Sequence, residues 1–261
     1  MTLPWLTSCS RHTTIALVPF TYAYPRPAVT VDAVIFTMRA EDLAVLLVKR
    51  GKEPFERHWA LPGGFVDERE SLERAIAREL EEETGIRDVA VEQLGAFGDP
   101  GRDPRGHTVS VAYFTFVVAE SHPVRAGDDA AEVAWVPLRE LAIDTGAENG
   151  SPGGGSNARG GARRKKLAFD HARMIAAARD RLQERLHDPR RLSAFEVVPA
   201  RFTLTELQRV YEAVFGRSLD KRNFRARLLA HGMVEPVAAA RRTGRHRPAQ
   251  LYRWRHAKKG R

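Results

Sequence analysis

The stretch GFVDERESLERAIARELEEETGI, residues 64–86, decides the fold of the first half of the chain. Nine of its 23 positions follow one spacing, namely Gly64, Glu70, Arg78-Glu79-Leu80, Glu82-Glu83 and Gly85-Ile86. Ser71 is a good N-terminal cap for a helix, and Gly85 can end that helix in a left-handed conformation. The stretch therefore predicts a loop, a helix and a second loop.

The carboxylates of this helix fall on its apolar side. At about 100° per residue, one apolar stripe is formed by Leu72, Ala75, Ile76 and Leu80. Glu79, Glu82 and Glu83 are spaced i, i+3 and i+4, and their face overlaps this stripe, whereas a purely solvated charged face would lie opposite it. Carboxylates that point inward need cations. Three oxygen ligands suit Mg²⁺ or Mn²⁺, so these glutamates are the predicted metal ligands.

The same nine positions resemble the Nudix box, the signature of hydrolases that act on nucleoside diphosphates linked to another group. The resemblance implies a Nudix domain and the catalytic residues Glu70, Arg78, Glu79, Glu82 and Glu83. Arg78 would position the helix carboxylates by ion pairing, and Glu70 is either a further metal ligand or a structural residue. The general base stays open between a box glutamate and an acid outside the box such as Asp103.

Strand patterns surround the box. Two β-rich runs, 29–37 and 43–49, flank a turn and predict a hairpin. The runs 89–97, 109–118 and 132–138 predict further strands. With few βαβ periods, the pattern favours an α+β fold, an α/β/α sandwich with a mixed sheet, over a doubly wound sheet.

Two loops are candidates for ligand binding. Gly63 and Gly64 follow a proline in a tight turn that lets backbone N–H groups approach a ligand. The loop 98–107 carries Arg102, Asp103 and Arg105. These three side chains either line a phosphate or sugar pocket or form a solvated turn, and composition alone does not decide between the two.

The charge is divided unevenly along the chain, whose formal net charge is +9. Residues 1–160 hold 16 basic and 24 acidic side chains, net −8, whereas residues 161–261 hold 26 and 9, net +17. This division indicates two functions and makes the basic half a candidate for binding nucleic acid, although a solvated basic surface has the same composition. The single cysteine, Cys9, excludes an internal disulfide, and no apolar run approaches a membrane span. We expect a cytoplasmic protein without membrane contact.

A glycine-rich segment, 145–166, contains seven glycines and predicts a flexible linker. It follows the Nudix-like region 22–144 and precedes a helix predicted at 167–188, which would bridge the two halves or contribute to a dimer contact. A small basic domain is predicted at 189–261. Residues 1–21 are expected to be a loose tail, or in part the product of an upstream start codon.

The basic half has the layout of a winged helix-turn-helix. Thr203 and Glu206 have capping-box spacing, Gly216 stops the first helix, and Asp220 can cap a second. A hairpin with an arginine-rich turn follows. Arginine and asparagine make bidentate contacts to base edges, and basic side chains bind phosphates. The predicted DNA contacts are Lys221, Arg222, Asn223, Arg225, Arg241, Arg242, Arg245 and Arg247.

The order of the two domains is similar to that of the Nudix-related regulators of NAD metabolism, the NrtR family. The resemblance is carried by YPRPAVTVDAVIF (24–36), GDPGRDPRG (98–106), LAFDHA (167–172), FTLTELQRVYEAVFGRSLDKRNFRARLL (202–229) and RPAQLYRW (247–254). It implies a repressor, usually a homodimer, that binds ADP-ribose and a double-stranded DNA operator near NAD-related genes.

The first half alone is also similar to ADP-ribose pyrophosphatases, which implies hydrolysis to AMP and ribose 5-phosphate with Mg²⁺ or Mn²⁺. Many regulators of the NrtR family carry a degraded box, whereas all the charged box positions are filled here. We therefore expect a regulator that retains hydrolysis of ADP-ribose or a related nucleotide. The alternative is a housekeeping Nudix hydrolase whose basic domain only aids association with nucleic acid or another partner.

Overall fold

The computed structural model describes residues 22–127, 130–143, 164–187, 197–241 and 249–255, with the backbone alone at 130–131 and 238–241. Several predicted features lie outside these residues, namely the tail 1–21, most of the linker 145–166, and Arg242, Arg245 and Arg247. In the described part of the chain, no helix is both long enough and apolar enough to cross a membrane.

A mixed sheet of seven strands forms the centre of the first half of the described chain. Its strands are β1 (Ala28–Arg39), β2 (Asp42–Arg50), β3 (Trp59–Ala60), β4 (Gly63–Phe65), β5 (Glu92–Phe97), β6 (Thr108–Phe116) and β7 (Ala130–Pro137). The order is β3-β2-β1-β6-β5, with β4 paired to β1 and β7 paired to β2. Strands β1 and β6 run parallel, and β1 and β2 form the predicted antiparallel hairpin.

Two helices cover the two faces of this sheet, α1 (Leu72–Thr84) and α2 (His171–His187). Side chains of β1 alternate between the faces. Val31 and Ile35 belong to the apolar cluster that contains α1, and Val34 and Phe36 belong to the cluster that contains α2. Burying a side chain of this kind stabilises the fold by about 1.5–3 kcal/mol. The first half is therefore an α/β/α sandwich with a mixed sheet, as predicted.

The chain rejoins the sheet before the predicted end of the linker at Lys166. The Lys165 N–H donates to the Glu140 carbonyl at 2.8 Å, and the Trp59 N–H donates to the Lys166 carbonyl at 3.0 Å. Residues 164–166 are therefore not free linker, because their backbone extends the edge of the sheet beside β3 and leads directly into α2.

The second half has the predicted helix, turn, helix and hairpin. Its elements are α3 (Leu204–Phe215), α4 (Lys221–Ala230), β8 (Val234–Arg241) and β9 (Gln250–Trp254). Both hydrogen bonds of the capping box between Thr203 and Glu206 are present at the start of α3, and Gly216 ends that helix with φ of 65°. Asp220 caps α4 by accepting from the Asn223 N–H at 2.8 Å. The winged helix-turn-helix prediction is confirmed.

Helix α2 bridges the two halves, one of the two roles expected for it. The Gln183 side-chain amide donates to the Val214 carbonyl of α3 at 2.9 Å, and the rings of His187 and Phe215 lie 5.0 Å apart. The buried residues Leu182 and Leu186 belong to an apolar cluster that continues from the sheet into the winged helix. The helix that covers the sheet is therefore also the support of the second domain.

Candidate functional site

Helix α1 carries the predicted carboxylates to the rim of a cleft beside β4. The Ser71 hydroxyl accepts from the Arg74 N–H at 3.3 Å, and Gly85 ends the helix with φ of 74°, so both predicted caps are present. Ala75, Ile76 and Leu80 are buried against the sheet and fix the rotation of the helix. This rotation directs Glu79 and Glu83 inward, whereas the Glu82 side chain remains 63% exposed.

Arg78 lies at the centre of an ion-pair network that links the loop before α1 to the helix. Its Nε and one Nη each donate to Glu70 at 2.9 Å, and its other Nη donates to Glu79 at 2.8 Å and to Glu82 at 3.4 Å. A further bond goes to the Phe65 carbonyl at 3.1 Å. The predicted positioning role of Arg78 agrees with this geometry, and these bonds also hold the pKa of Glu70 below its usual range.

Glu79 and Glu83 are carboxylates in surroundings that disfavour their charge. Burial raises the pKa of Glu79, although the Arg78 hydrogen bond acts in the opposite direction. Burial raises the pKa of Glu83 to about 8, and the nearby charges of Glu79 and Asp32 act in the same direction. The 3.0 Å hydrogen bond from the Gly63 N–H lowers this pKa but does not offset the burial. Buried acids of this kind are stabilised in their ionised form by a cation.

Two glycines form the part of the β4 backbone that faces these carboxylates. A Cβ on Gly64 would lie 2.3 Å from Oε1 of Glu79, and a Cβ on Gly63 would lie 2.1 Å from the Val31 carbonyl oxygen. Both glycines were predicted as ligand-binding residues, and both line the cleft. Their absence of side chains lets the β4 backbone lie against the carboxylates.

The predicted convergence of three glutamates is not present in the described residues. No group of three or more His, Cys, Asp or Glu side chains lies there as metal ligands do. The reason is the outward rotation of Glu82 and the engagement of Glu79 by Arg78. Glu79 and Glu83 nevertheless fit a divalent cation, because a positive charge beside them would remove the conflict between their burial and their charge.

Arginines line the same cleft as the carboxylates. The cleft has a volume of about 520 Å³, within the roughly 300–1,000 Å³ typical of small-molecule sites. The Arg50 Nε donates to the Pro54 carbonyl at 2.7 Å, and burial together with the neighbouring charge of Arg105 lowers the pKa of Arg50. Two like charges held together are a suitable site for an anionic group such as a phosphate.

The predicted residues of the 98–107 loop make specific contacts within the protein. Arg102 donates three hydrogen bonds of 2.7–3.2 Å to Asp170, and Arg105 donates from its side chain and its backbone to Asp103. Burial by itself raises the pKa of Asp103, but the Arg105 hydrogen bonds outweigh it and hold that pKa below its usual range. All three predicted side chains line the cleft, so the alternative of a solvated turn is excluded.

The cleft residues that the sequence did not reveal include Asp32, Arg50, Phe169 and His171. The Phe169 ring lies 5.0 Å from the Arg50 guanidinium and 5.6 Å from that of Arg105. Phe169 and His171 belong to the LAFDHA stretch, which the sequence analysis used only for its family resemblance. Asp32 and Arg50 stand in β1 and β2 with no local pattern that marks them.

The predicted DNA-binding surface is only partly as expected. Lys221, Arg222 and Asn223 are exposed on the first turn of α4. Arg225 does not turn outward as predicted, because it is half-buried and donates to the Thr205 hydroxyl of α3 at 3.0 Å. The backbone places Arg241 at the end of β8, next to the wing tip that lies outside the described residues.

Two family models match separate parts of the chain. Residues 26–152 match the NUDIX domain, and residues 194–254 match the NrtR DNA-binding winged helix domain. The first range contains the cleft and the second contains α3, α4 and the hairpin.

Three known proteins are similar over large parts of this chain. The ADPR responsive transcriptional repressor NtrR of Acinetobacter baylyi is 35% identical over 88% of this chain and 83% of its own. An ADP-ribose pyrophosphatase of Methanocaldococcus jannaschii is 37% identical over 58% of this chain and 73% of its own. The crystal structure of Shewanella oneidensis NrtR with a 27mer DNA has a TM-score of 0.66 and 34% identity, covering 87% of this chain and 93% of that one. The NUDIX domain of the same NrtR, complexed with ADP ribose, has a TM-score of 0.50 and 35% identity, covering 61% and 91%.

Proposed function

This chain belongs to the NrtR family of Nudix and winged-helix proteins, and we propose that it is an ADP-ribose-responsive repressor of NAD-related genes. The observation that carries the proposal is a cleft lined by both carboxylates and arginines, joined through a single helix to a DNA-binding domain. The carboxylates suit a metal ion bound to a pyrophosphate, and the arginines suit the phosphate oxygens. Support also comes from the repressor of Acinetobacter baylyi and from the ADP-ribose complex of the Shewanella domain.

Regulation by ADP-ribose requires that ADP-ribose bind the two conformational states of the protein with different affinities, since a ligand shifts an equilibrium only through differential affinity. We expect ADP-ribose to weaken the binding of this protein to its operator, with Lys221, Arg222 and Asn223 contacting that operator. We also expect the DNA-bound form to be a homodimer, because winged helices that bind half-sites do so in pairs. Light scattering with and without operator tests that expectation.

We further propose that the protein hydrolyses ADP-ribose, as the filled box and the pyrophosphatase of Methanocaldococcus jannaschii support. Glu79 and Glu83, the two box glutamates that point inward, would hold Mg²⁺ or Mn²⁺, and the ion would supply charge neutralisation at the pyrophosphate and a lowered pKa of water. Arg78 holds Glu79 in place, and Arg50 and Arg105 bind the substrate phosphates. Water attacks one phosphorus of the pyrophosphate, the bond from that phosphorus to the bridging oxygen breaks, the other phosphate leaves with the bridging oxygen, and the products are AMP and ribose 5-phosphate.

The geometry favours a box glutamate over Asp103 as the group that accepts the proton of the attacking water. Arg105 engages both carboxylate oxygens of Asp103, which leaves that residue a structural role. The Glu82 carboxylate is exposed, and its contact with Arg78 is a long one of 3.4 Å. Glu82 is therefore our candidate for the base, a role compatible with contact to the metal.

Cleavage of ADP-ribose by the wild-type protein and by Glu82→Gln tests the catalytic part. We expect Mg²⁺-dependent formation of AMP in the wild type and loss of most turnover in the variant, with no change in the free energy of unfolding. Undiminished turnover in Glu82→Gln would remove this glutamate from the mechanism. Binding without turnover in the wild type would leave the protein a sensor alone.

Operator selectivity separates the repressor from a housekeeping hydrolase with a basic tail. A tail that only aids association would bind DNA with strong salt dependence and without regard to sequence. A repressor should prefer its operator over random DNA by roughly 10³-fold or more at physiological salt. Equal affinity for both DNAs would favour the hydrolase.

A further inference from the structure

His171 connects the floor of the cleft to helix α2. It is the first residue of that helix and is 3% exposed. Its Nδ1 accepts a hydrogen bond from the Leu61 N–H at 2.8 Å, and its Nε2 lies 3.4 Å from Oδ1 of Asp32. Because Nδ1 accepts, the ring proton is on Nε2 and points toward the Asp32 carboxylate. Burial lowers the pKa of His171, which favours the neutral ring.

Asp32 in turn is held by the sheet. The Ser110 hydroxyl of β6 donates to Oδ2 of Asp32, and both residues are buried. The chain from Ser110 through Asp32 to His171 therefore joins β6, β1 and α2 in the interior. One carboxylate oxygen of Asp32 accepts from Ser110 and the other faces His171, so Asp32 is placed to orient the imidazole ring.

The backbone that His171 holds is the 61–64 loop, defined as Leu61 to Gly64. Within this loop, the Gly63 N–H donates to the Glu83 carboxylate at 3.0 Å. The Pro62 carbonyl accepts from the Ala33 N–H at 2.9 Å. The 61–64 loop thus contacts the buried carboxylate of Glu83 on one side and His171 on the other.

The other end of α2 reaches the DNA-binding domain. A helix of 17 residues spans about 26 Å at about 1.5 Å per residue. At its far end Gln183 donates to the Val214 carbonyl of α3. Helix α2 therefore has one end fixed to the cleft loop and the other fixed to the winged helix.

We propose that His171 is a positioning residue that makes the 61–64 loop and α2 move as one unit, so that a pyrophosphate-containing nucleotide in the cleft changes the orientation of the winged helix. The inference rests on the proposed function and specifies how the same site is regulated. His171 borders the cleft but acts in this scheme through its hydrogen bond with the Leu61 N–H. If His171 were only a packed core residue, its substitution would lower the free energy of unfolding and leave the response of operator binding to nucleotide unchanged.

Three substitutions at this position separate these two roles. Asparagine offers an amide oxygen near the place of Nδ1 and can still accept from Leu61. Glutamine reaches the place of Nε2 instead, and leucine accepts nothing. The measured quantity is the ratio of operator dissociation constants with and without saturating ADP-ribose, with saturation of each variant checked by calorimetry.

We expect His171→Asn to keep most of the wild-type ratio, which for such couplings is typically about 5–150-fold. His171→Gln and His171→Leu should bring the ratio to within about twofold of one, while operator affinity without nucleotide stays unchanged. Should the leucine variant fail to fold, the comparison of asparagine with glutamine carries the test, since both are polar amides. His107→Leu, an exposed histidine outside the cleft, is the matched control and should keep the wild-type ratio.

Gln183→Ala tests the far end of the helix without touching the cleft. It should lower the ratio and leave ADP-ribose affinity unchanged, because the α2–α3 hydrogen bond lies far from the cleft. A wild-type ratio in the glutamine and leucine variants would overturn the proposal, as would a loss in the asparagine variant equal to that in leucine. A wild-type protein whose operator affinity ignores bound ADP-ribose would contradict the proposed function itself, a result distinguishable from either.

Discussion

Replacing Arg78 by lysine keeps the positive charge at the centre of the site but removes the forked geometry that organises it. Arg78 donates two parallel hydrogen bonds of 2.9 Å to Glu70, a third of 2.8 Å to Glu79 and a fourth of 3.1 Å to the Phe65 carbonyl. One ammonium group cannot reach all three partners, because its donors diverge from a single nitrogen. We therefore expect Arg78→Lys to lose about two charge-assisted bonds.

The magnitude follows from the burial of the network. Side-chain exposure is 26% for Arg78, 12% for Glu70 and 13% for Glu79, so these bonds are partly shielded from water. At about 1.5–3 kcal/mol for each bond to a charged group, reduced because the charge itself remains, the loss should be about 2–3 kcal/mol. Displacement of Glu79 should lower turnover by about 100-fold, since an error of about 1 Å in a positioned group has that effect.

Urea unfolding measures the loss of stability, and the rate of AMP formation measures the loss of turnover. Arg74→Lys is the matched control, because Arg74 lies on the same helix, is exposed and makes no side-chain contact that would depend on the fork. That variant should match the wild type in both assays. If Arg78→Lys were as stable and as active as Arg74→Lys, the organising role of Arg78 would be refuted.

Further predictions concern the carboxylates and the DNA surface. The pKa of Glu83 is raised to about 8 in the folded protein, against 4.5 for an ordinary glutamate. Because the unfolded chain therefore loses this proton at a lower pH than the folded protein does, the free energy of unfolding of the metal-free protein should fall as the pH rises from 4.5 to 8. Glu83→Gln should remove that decline in thermal unfolding. Gly64→Ala should displace Glu79 and lower turnover at least tenfold with only a small stability loss, because the clash meets a side-chain end. Arg222→Ala should weaken operator binding by about 1–3 kcal/mol without loss of stability, whereas Arg225→Ala should also destabilise the domain through its lost bond to α3.

The parts of the molecule that local chemistry determines could be predicted from the sequence. Ser71 and Gly85 bound α1, and the box of Thr203 and Glu206 begins α3, because each cap needs only neighbours within three or four residues. The winged helix followed from the order of such signals. The β-rich run 29–37 similarly predicted the strand observed as β1.

The contacts across the cleft could not be predicted in this way. Asp32 and Arg50 come from the β1–β2 hairpin and His171 from α2, much later in the chain, and the packing of α2 on the sheet brings His171 to the other two. The outward position of Glu82 depends on the exact rotation of α1, which its buried side chains set. Arg225 is half-buried because α4 packs against α3 at an angle that helical projection does not contain.

Operator affinity in the presence and absence of ADP-ribose is the decisive measurement for a repressor that is controlled through its nucleotide cleft. The Glu82→Gln protein is suitable, since its slow turnover preserves the ligand during the titration, and calorimetry establishes that the cleft is occupied. We predict that saturating ADP-ribose weakens binding to a promoter fragment of NAD-related genes at least fivefold, the lower end of typical coupling. Unchanged operator affinity with the cleft shown to be occupied would contradict the account.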